Sequence, residues 1–296
     1  VRDSLQANAG VIRPKSLKRC FDKIEVASEM KPGRYVVDDS CTGIYVARML
    51  AFGWQTPQKL TLSGTMRSKG RIAQKIAAQM MVDSSAVGAA LNDATFLSEY
   101  GFTPENVFAM ILPDTYEMYW TASVKEIFDR LKKEYDAFWT EERLAKAKAQ
   151  KMTPMQVSIM ASIVSGETLK AFEYPVIAGV YLNRYRKGMK LQADPTIAFC
   201  YDYTLDRILK KHLKVDSPYN TYMHIGLPPA PINVPSKACL DAVLNPENHK
   251  YIYFCASPAF DGTHRFAVTY SEHLKNARAC KRELTARRRA KAAAAK

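Results

Sequence analysis

With 296 residues, 47% of them hydrophobic and 24% charged, the chain has the composition of an ordinary globular protein and room for one large domain or two smaller ones. Its formal charge of +14, from 43 Lys and Arg against 29 Asp and Glu, favours polyanionic partners: nucleic acid, anionic lipid headgroups or an acidic polymer. The six cysteines form no CxxC pair, which argues against zinc ribbons and thioredoxin-type redox sites, and no apolar run approaches the ~18 residues that span a bilayer.

The chain starts at Val1 rather than a methionine, so an N-terminal signal or anchor is expected ahead of it. "GRYVV" (33–37) is predicted as a strand, followed by Asp-Asp-Ser turn residues, a helix around "GIYVARML" and a second strand at "QKLTLS" (58–63). This strand–helix–strand unit ends near Ser63. Ala-rich helical patterns fill 66–97, Pro113 interrupts "VFAMILPDTYEMYW", and "SVKEIFDRLKKEYDAFWTEERLAKAKAQ" is predicted as one long charged amphipathic helix.

The next helix has a capping box, with Thr153 at the N-cap, Pro154 at N1 and Gln156 at N3. A second helix begins near Pro175 and ends on Arg184, Arg186 and Lys187 before Gly188. "MKLQADPT" alternates with period two, which predicts an extended segment with Gln192 and Asp194 on one side. "SPYNTYMHIGLPPAPINVPS" is too rich in Pro and Gly for a regular element. "YIYFCA" and "HRFAVTY" are predicted as two strands joined around Asp261–Gly262, before a last helix capped by Thr269 with Glu272. The tail "KRELTARRRAKAAAAK" reads as a solvated helical extension, with polyanion binding as the alternative. Without a βαβα rhythm, the fold class is α+β.

Glu167 is the sharpest chemical candidate. At about 100° per residue it falls within about 20° of Met160, on the side that also carries Val157, Ile163 and Val164, whereas Ser158, Ser162 and Ser165 take the other side. A carboxyl on an apolar face has its pKa raised, which suits a general acid near neutral pH. The bland alternative is a helix-end glutamate that caps, pairs with a lysine or fans into solvent. No second carboxylate is obvious: Glu173 would stand about 240° away on a continued helix, and spacing alone does not bring Asp194, Asp114 or Glu117 near. There is no GxSxG, HExxH, Walker loop or GxGxxG, so no metal or cofactor is expected. Of the five histidines only His264 stands out, opening a strand beside a Gly turn and sharing a face with Phe266. Tyr219, Asn220 and Tyr222 offer amide and phenol groups suited to sugar recognition, or else form a rigid loop buried against the core.

"MASIVSGET", "VYLNRYRKGMKLQADPTIAF", "SPYNTYMHIGLPPAPINVPS", "YIYFCA" and "GTHRFAVTYSEH" occur in this order and together closely resemble the YceG-like family of endolytic murein transglycosylases. The resemblance runs more weakly through "LPDTYEMY" back to about Leu60. It implies a LysM-like small domain over 1–63, a catalytic domain over 64–285 and a basic tail over 286–296. It also implies that Glu167, matching the second glutamate of the family's Glu-Lys-Glu-Thr motif, is catalytic. Gln192, Asp194, Asn220, Tyr222 and His264, in the matching motifs, are the candidate substrate-binding residues. Ser165 and Gly166 replace the first glutamate and the lysine of that motif. "PINVPS" departs from the usual Pro-Ile-Xaa-Asn/Thr-Pro-Gly, so Val234 and Ser236 are given no binding role.

The resemblance further implies lytic cleavage of glycan strands between N-acetylmuramic acid and N-acetylglucosamine, giving 1,6-anhydro ends that terminate or trim nascent strands. It implies no cofactor, possible contact with wall-synthesis machinery, and an inner-membrane anchor before Val1 with the catalytic part on the periplasmic side. A non-catalytic peptidoglycan-binding module, a lysozyme-type hydrolase and, on charge alone, a nucleic-acid-binding protein are the competing readings; no RNA or DNA motif supports the last.

Overall fold

The computed structural model describes residues 1–8 and 10–294. In chain order the helices are α1 (Arg2–Asn8), α2 (Pro14–Lys23), α3 (Val26–Glu29), α4 (Gly43–Phe52), α5 (Lys69–Ala77), α6 (Ser84–Ala90) and α7 (Ala94–Ser98). There follow α8 (Val124–Phe138), α9 (Glu141–Ala149), α10 (Pro154–Glu167), α11 (Tyr174–Arg186), α12 (Asp194–Cys200), α13 (Lys237–Leu244) and α14 (Tyr270–Ala294). Two separate antiparallel pairs, β1 (Gln58–Leu62) with β2 (Asp114–Met118) and β3 (Tyr253–Ala256) with β4 (His264–Ala267), complete an α+β fold. All six cysteines are free thiols, and no described helix is long and apolar enough to cross a membrane.

The chain divides into two compact units. The first gathers Val1–Ser63, Gly70–Ala90 and Asp114–Arg130. Its helical part closes over Leu17, Phe21, Val46 and Leu50. The predicted strand at 33–37 is absent: the segment accepts one backbone bond from a distant part of the chain, Thr56 N–H to the Arg34 carbonyl at 2.8 Å, and leaves Val36 and Val37 exposed. Both edges of β1 are otherwise engaged. One pairs with β2 in the register Gln58↔Met118 to Leu62↔Asp114. On the other, the Gln79 amide accepts from Thr61 N–H (2.9 Å) and donates to the Thr61 carbonyl (3.0 Å), which blunts the edge. The strand–helix–strand order expected over 33–63 is therefore realised only in α4 and β1. The partner strand comes instead from beyond Pro113, where no local alternation announces it.

The second unit gathers Gly64–Lys69, Leu91–Pro113 and Leu131–Lys296. The single amphipathic helix expected before α10 is two helices. Thr140 caps α9 by accepting from Arg143 N–H (3.3 Å), and the Arg143 guanidinium turns back to the Phe138 carbonyl (3.1 Å) and ring, which stops α8 there. The basic tail continues α14 to residue 294; its last two residues lie outside the described ones.

α10 is the centre of this unit. Both halves of its capping box are made, Gln156 N–H to Thr153 Oγ1 at 3.2 Å and Thr153 N–H to Gln156 Oε1 at 2.9 Å. Its apolar side packs with Ile177, Tyr181, Leu240 and Val243. The serine side is buried as well, because the proline-rich segment covers it. Asn233 donates to the Ser162 carbonyl (2.8 Å) and accepts from the Ser165 hydroxyl (2.9 Å), while Ile232 N–H donates to Ser162 Oγ (3.1 Å). On α11, Gly179 lets the chain after α13 approach. A Cβ there would stand 2.6 Å from His249 Nε2 and 2.8 Å from the Glu247 carbonyl. Gly179→Ala should therefore destabilise the protein by about 1–3 kcal/mol in urea unfolding, by overpacking against fixed backbone.

Candidate active site

α10 ends on Glu167, and the end is sharp: Thr168 swings to extended backbone, while its hydroxyl accepts from Lys170 N–H at 3.0 Å. The Glu167 carboxyl therefore projects from the C-terminal, negative end of a buried helix. The Tyr181 hydroxyl, on α11, donates to Glu167 Oε1. Burial pushes the carboxyl pKa up to about 7; the Asp194 carboxylate adds to the rise and the Tyr181 hydrogen bond opposes it. Tyr181 is itself buried, edge-on to Phe254 with ring centres 5.9 Å apart, and its own pKa is raised by burial and by Glu167.

The alternation expected through "MKLQADPT" does not hold. Gln192 adopts φ +54°, outside any extended run, and Asp194 opens α12. Both residues still line the cavity that the Glu167 carboxyl lines. Gln192 Oε1 accepts from Arg184 Nη2 at 2.6 Å, and Asp194 Oδ1 accepts from the Tyr222 hydroxyl at 2.6 Å. The next residue, Pro195, lies so close to α10 that a Cβ at Gly166 would be 2.6 Å from Pro195 Cβ. The small residue before Glu167 is thus what lets α12 bring Asp194 alongside.

Glu167, Gln192, Asp194, Tyr222 and His264 line one cavity of ≈ 380 Å³. Asn220, the sixth candidate, does not. It is fully buried, its amide donates to the Leu213 and Val215 carbonyls (3.1 and 2.8 Å), and its Oδ1 accepts from Tyr222 N–H (2.9 Å). Its groups are occupied in holding the loop that aims Tyr222. Glu173 is also buried and committed: it accepts from His264 N–H (2.8 Å), Thr168 Oγ1 (3.3 Å) and His264 Nδ1 (2.9 Å). It orients the imidazole, leaving Nε2 as the other ring nitrogen, and is not a second acid for a substrate. Asp114 and Glu117 belong to β2.

Sequence reasoning missed Tyr181 and Arg184, which stand one helical turn apart on α11 and both line the cavity. Two polar tips on an otherwise buried helix were the available signal. The Arg184 guanidinium bonds the Lys190 carbonyl (2.8 and 3.0 Å) and the Ile252 carbonyl (2.9 Å), so a buried cation is satisfied without a carboxylate. It also missed an aromatic wall, in which Tyr253 and Tyr270 stack on His273 with interplanar angles of 27° and 29°. Among the described residues no group of three or more His, Cys, Asp or Glu could hold a metal ion. The arrangement can hold a proton at one carboxyl, present hydrogen-bonding groups around it, and stack a ring against its far wall.

The YceG-like family matches residues 1–279 of the chain. An endolytic murein transglycosylase of Bacillus subtilis is 32% identical over 220 residues, covering 69% of this chain and 60% of the relative. One from Streptococcus pneumoniae is 25% identical over 171 residues, covering 56% of this chain and 31% of the relative. The chain thus spans less than two thirds of the length of these relatives. The crystal structure of a YceG-like protein from Listeria monocytogenes matches with a TM-score of 0.63 at 26% identity, covering 93% of each chain.

The raised Glu167 pKa has a consequence for stability. In the unfolded chain the carboxyl titrates near the ordinary 4.5, and in the folded protein near 7. Between these values the folded state binds more protons, so stability present at low pH falls as pH rises through that window and levels off above it. Glu167→Gln removes the titration. Its melting temperature relative to wild type should rise between about pH 5 and about pH 8; an offset that does not change with pH would refute the buried, proton-holding carboxyl.

Proposed function

The chain belongs to the YceG-like family, and from that premise we propose that it is an endolytic lytic transglycosylase of peptidoglycan. The proposed reaction cleaves the β-1,4 bond between N-acetylmuramic acid and N-acetylglucosamine and leaves 1,6-anhydro ends. The observation that carries the reading is one carboxyl, Glu167, protonated to about pH 7 and lining a cavity ringed by hydrogen-bonding groups. Protonated Glu167 gives its proton to the glycosidic oxygen as the C1–O bond breaks. The resulting carboxylate takes the proton of the muramic acid C6 hydroxyl, whose oxygen closes on C1. One group serves as acid and then base, because the nucleophile is held within the substrate, where effective molarities of about 10⁵–10⁸ M are attainable.

The chain's other residues take supporting roles. Tyr181 holds Oε1, which leaves Oε2 to carry the acidic proton. Gln192, Asp194, Tyr222 and His264 bind the sugars, and exposed Tyr270 offers a ring face for their C–H surfaces. Asn220 acts through Tyr222. With this go the catalytic assignment of 64–285, a LysM-like role for 1–63, a place in the cell envelope with an inner-membrane anchor ahead of Val1, and strand termination as the biological use.

The second reading is a lysozyme-type hydrolase in which Asp194 supports a bound intermediate that water opens. It is favoured by the nearness that lets Asp194 raise the Glu167 pKa. Digestion of glycan strands in ¹⁸O-water separates the two. Lytic cleavage leaves anhydro ends without ¹⁸O, whereas hydrolysis leaves labelled reducing ends. Unaltered strands would point to a binding module. Glu167→Gln should keep the fold and lower release of anhydro ends by about 10²–10⁴-fold, by mass spectrometry. The wild-type rate should fall above about pH 7, as the acid loses its proton.

A further inference from the structure

A second cavity, of ≈ 560 Å³, adjoins the first and shares Glu167, Ala256 and His264 with it. A chain lying past the carboxyl enters both. The two chambers differ in charge. The first holds two carboxylates, Glu167 and Asp194, and its cation Arg184 is spent on backbone carbonyls. The second is lined by Arg67 and Lys170, from two separate segments, and by no carboxylate except Glu167. Exposed Leu169 and Phe260 add apolar surface beside them.

Both cations are positioned for an anion. The Arg67 guanidinium stacks 4.7 Å over the ring of Tyr203, whose hydroxyl donates to the Ile232 carbonyl at 2.6 Å. Stacking fixes the plane of the guanidinium and leaves its N–H edges for a carboxylate. The Lys170 stem crosses Gly262, where a Cβ would meet its Cε at 3.2 Å. The neighbouring Asp261 carboxylate accepts from Thr263 N–H and Oγ1 at 2.9 and 2.6 Å; these bonds chiefly lower its pKa, and the Lys170 charge is a smaller cause, so Lys170 is only partly offset by it.

We propose that this second chamber is a muramoyl subsite, in which Arg67 and Lys170 bind the carboxylate carried on the sugar's 3-O side and Leu169 and Phe260 meet the lactyl methyl. The proposal rests on the glycan-cleaving reading above and deepens it. N-acetylglucosamine carries neither group, and the two sugars alternate along a strand. A chamber that accepts only the muramoyl unit therefore sets the register, so that one of the two kinds of glycosidic bond faces Glu167. The carboxylate is that of a free lactyl group or of an attached stem peptide; the chemistry is the same.

Binding to the Glu167→Gln protein tests this without turnover. Three probes share one tetrasaccharide of alternating N-acetylglucosamine and N-acetylmuramic acid. One bears free lactyl carboxylates, one lactyl amides, and one a lactyl-linked dipeptide with a free carboxylate. At least one carboxylate probe should bind about tenfold more tightly than the amide, and which one does identifies the source. Adding Arg67→Gln or, on a different segment, Lys170→Met should bring that ratio towards one, with circular-dichroism melting unchanged as the folding control. No measurable binding, equal affinity for all three probes, or a ratio unmoved in both variants overturns the subsite. Turnover of whole strands by wild type is scored separately: missing anhydro ends with an intact binding ratio sinks the glycosidase reading and leaves the carboxylate site standing.

Discussion

The meeting of Glu167 with Tyr181 is the interaction on which the rest of the larger unit depends. An ionised carboxyl at a helix C-terminus, beside another carboxylate and half-buried at the cavity wall, is opposed by desolvation, by the helix dipole and by like charge together. Keeping the proton on removes most of that opposition, and the Tyr181 hydroxyl supplies a hydrogen bond to Oε1. The carboxyl is thus held in an environment that disfavours its charge, which is what a proton donor working near neutrality requires.

The surrounding construction serves this placement. The capping box sets where α10 starts and hence the phase of its last residue. Asn233 ties both Ser162 and Ser165 to the proline-rich segment, whereas the buried Ser158 hydroxyl has no hydrogen-bond partner among the described residues. Gly166 leaves the gap into which Pro195 packs. These contacts account for Ser165 and Gly166, where the resembling motif has a charged pair: one residue is a tether and the other is absent bulk. A lysine at position 166 would meet Pro195, and the approach of α12 depends on its not being there.

Three of the buried polar groups around the site are satisfied within the protein, whereas the buried His273 Nδ1 on the cavity wall has no hydrogen-bond partner among the described residues. Glu173 serves His264 and Thr168, Arg184 serves backbone carbonyls and Gln192, and Asn220 serves its own loop. Each of these groups would be expensive to bury alone, and each is paired so that a neighbour is aimed into the cavity. A carboxyl whose pKa is raised in this way costs the folded protein some stability at neutral pH.

Much of this was legible in the sequence where the physics is local. The capping boxes at Thr153 and Thr269, the cationic end of α11, the hairpin around Asp261–Gly262 and the phase of Glu167 all rest on interactions within a turn or two of chain, and each appears where the pattern put it. The segment 33–37 alternates like a strand yet finds no free edge, because β1 is already engaged by β2 and by Gln79. Asn220 has the chemistry of a sugar ligand but a fully buried position. Asp194 reaches Glu167 through Pro195 rather than through period-two spacing. By itself, then, the sequence determined where α10 and α14 start, where α11 ends and which carboxyl was out of place, but not the break between α8 and α9 or the helix α12. Only the tertiary structure decided which strand pairs with which, which polar groups are consumed internally and which line the cavity, because those outcomes depend on contacts between residues far apart in the chain that no local pattern encodes.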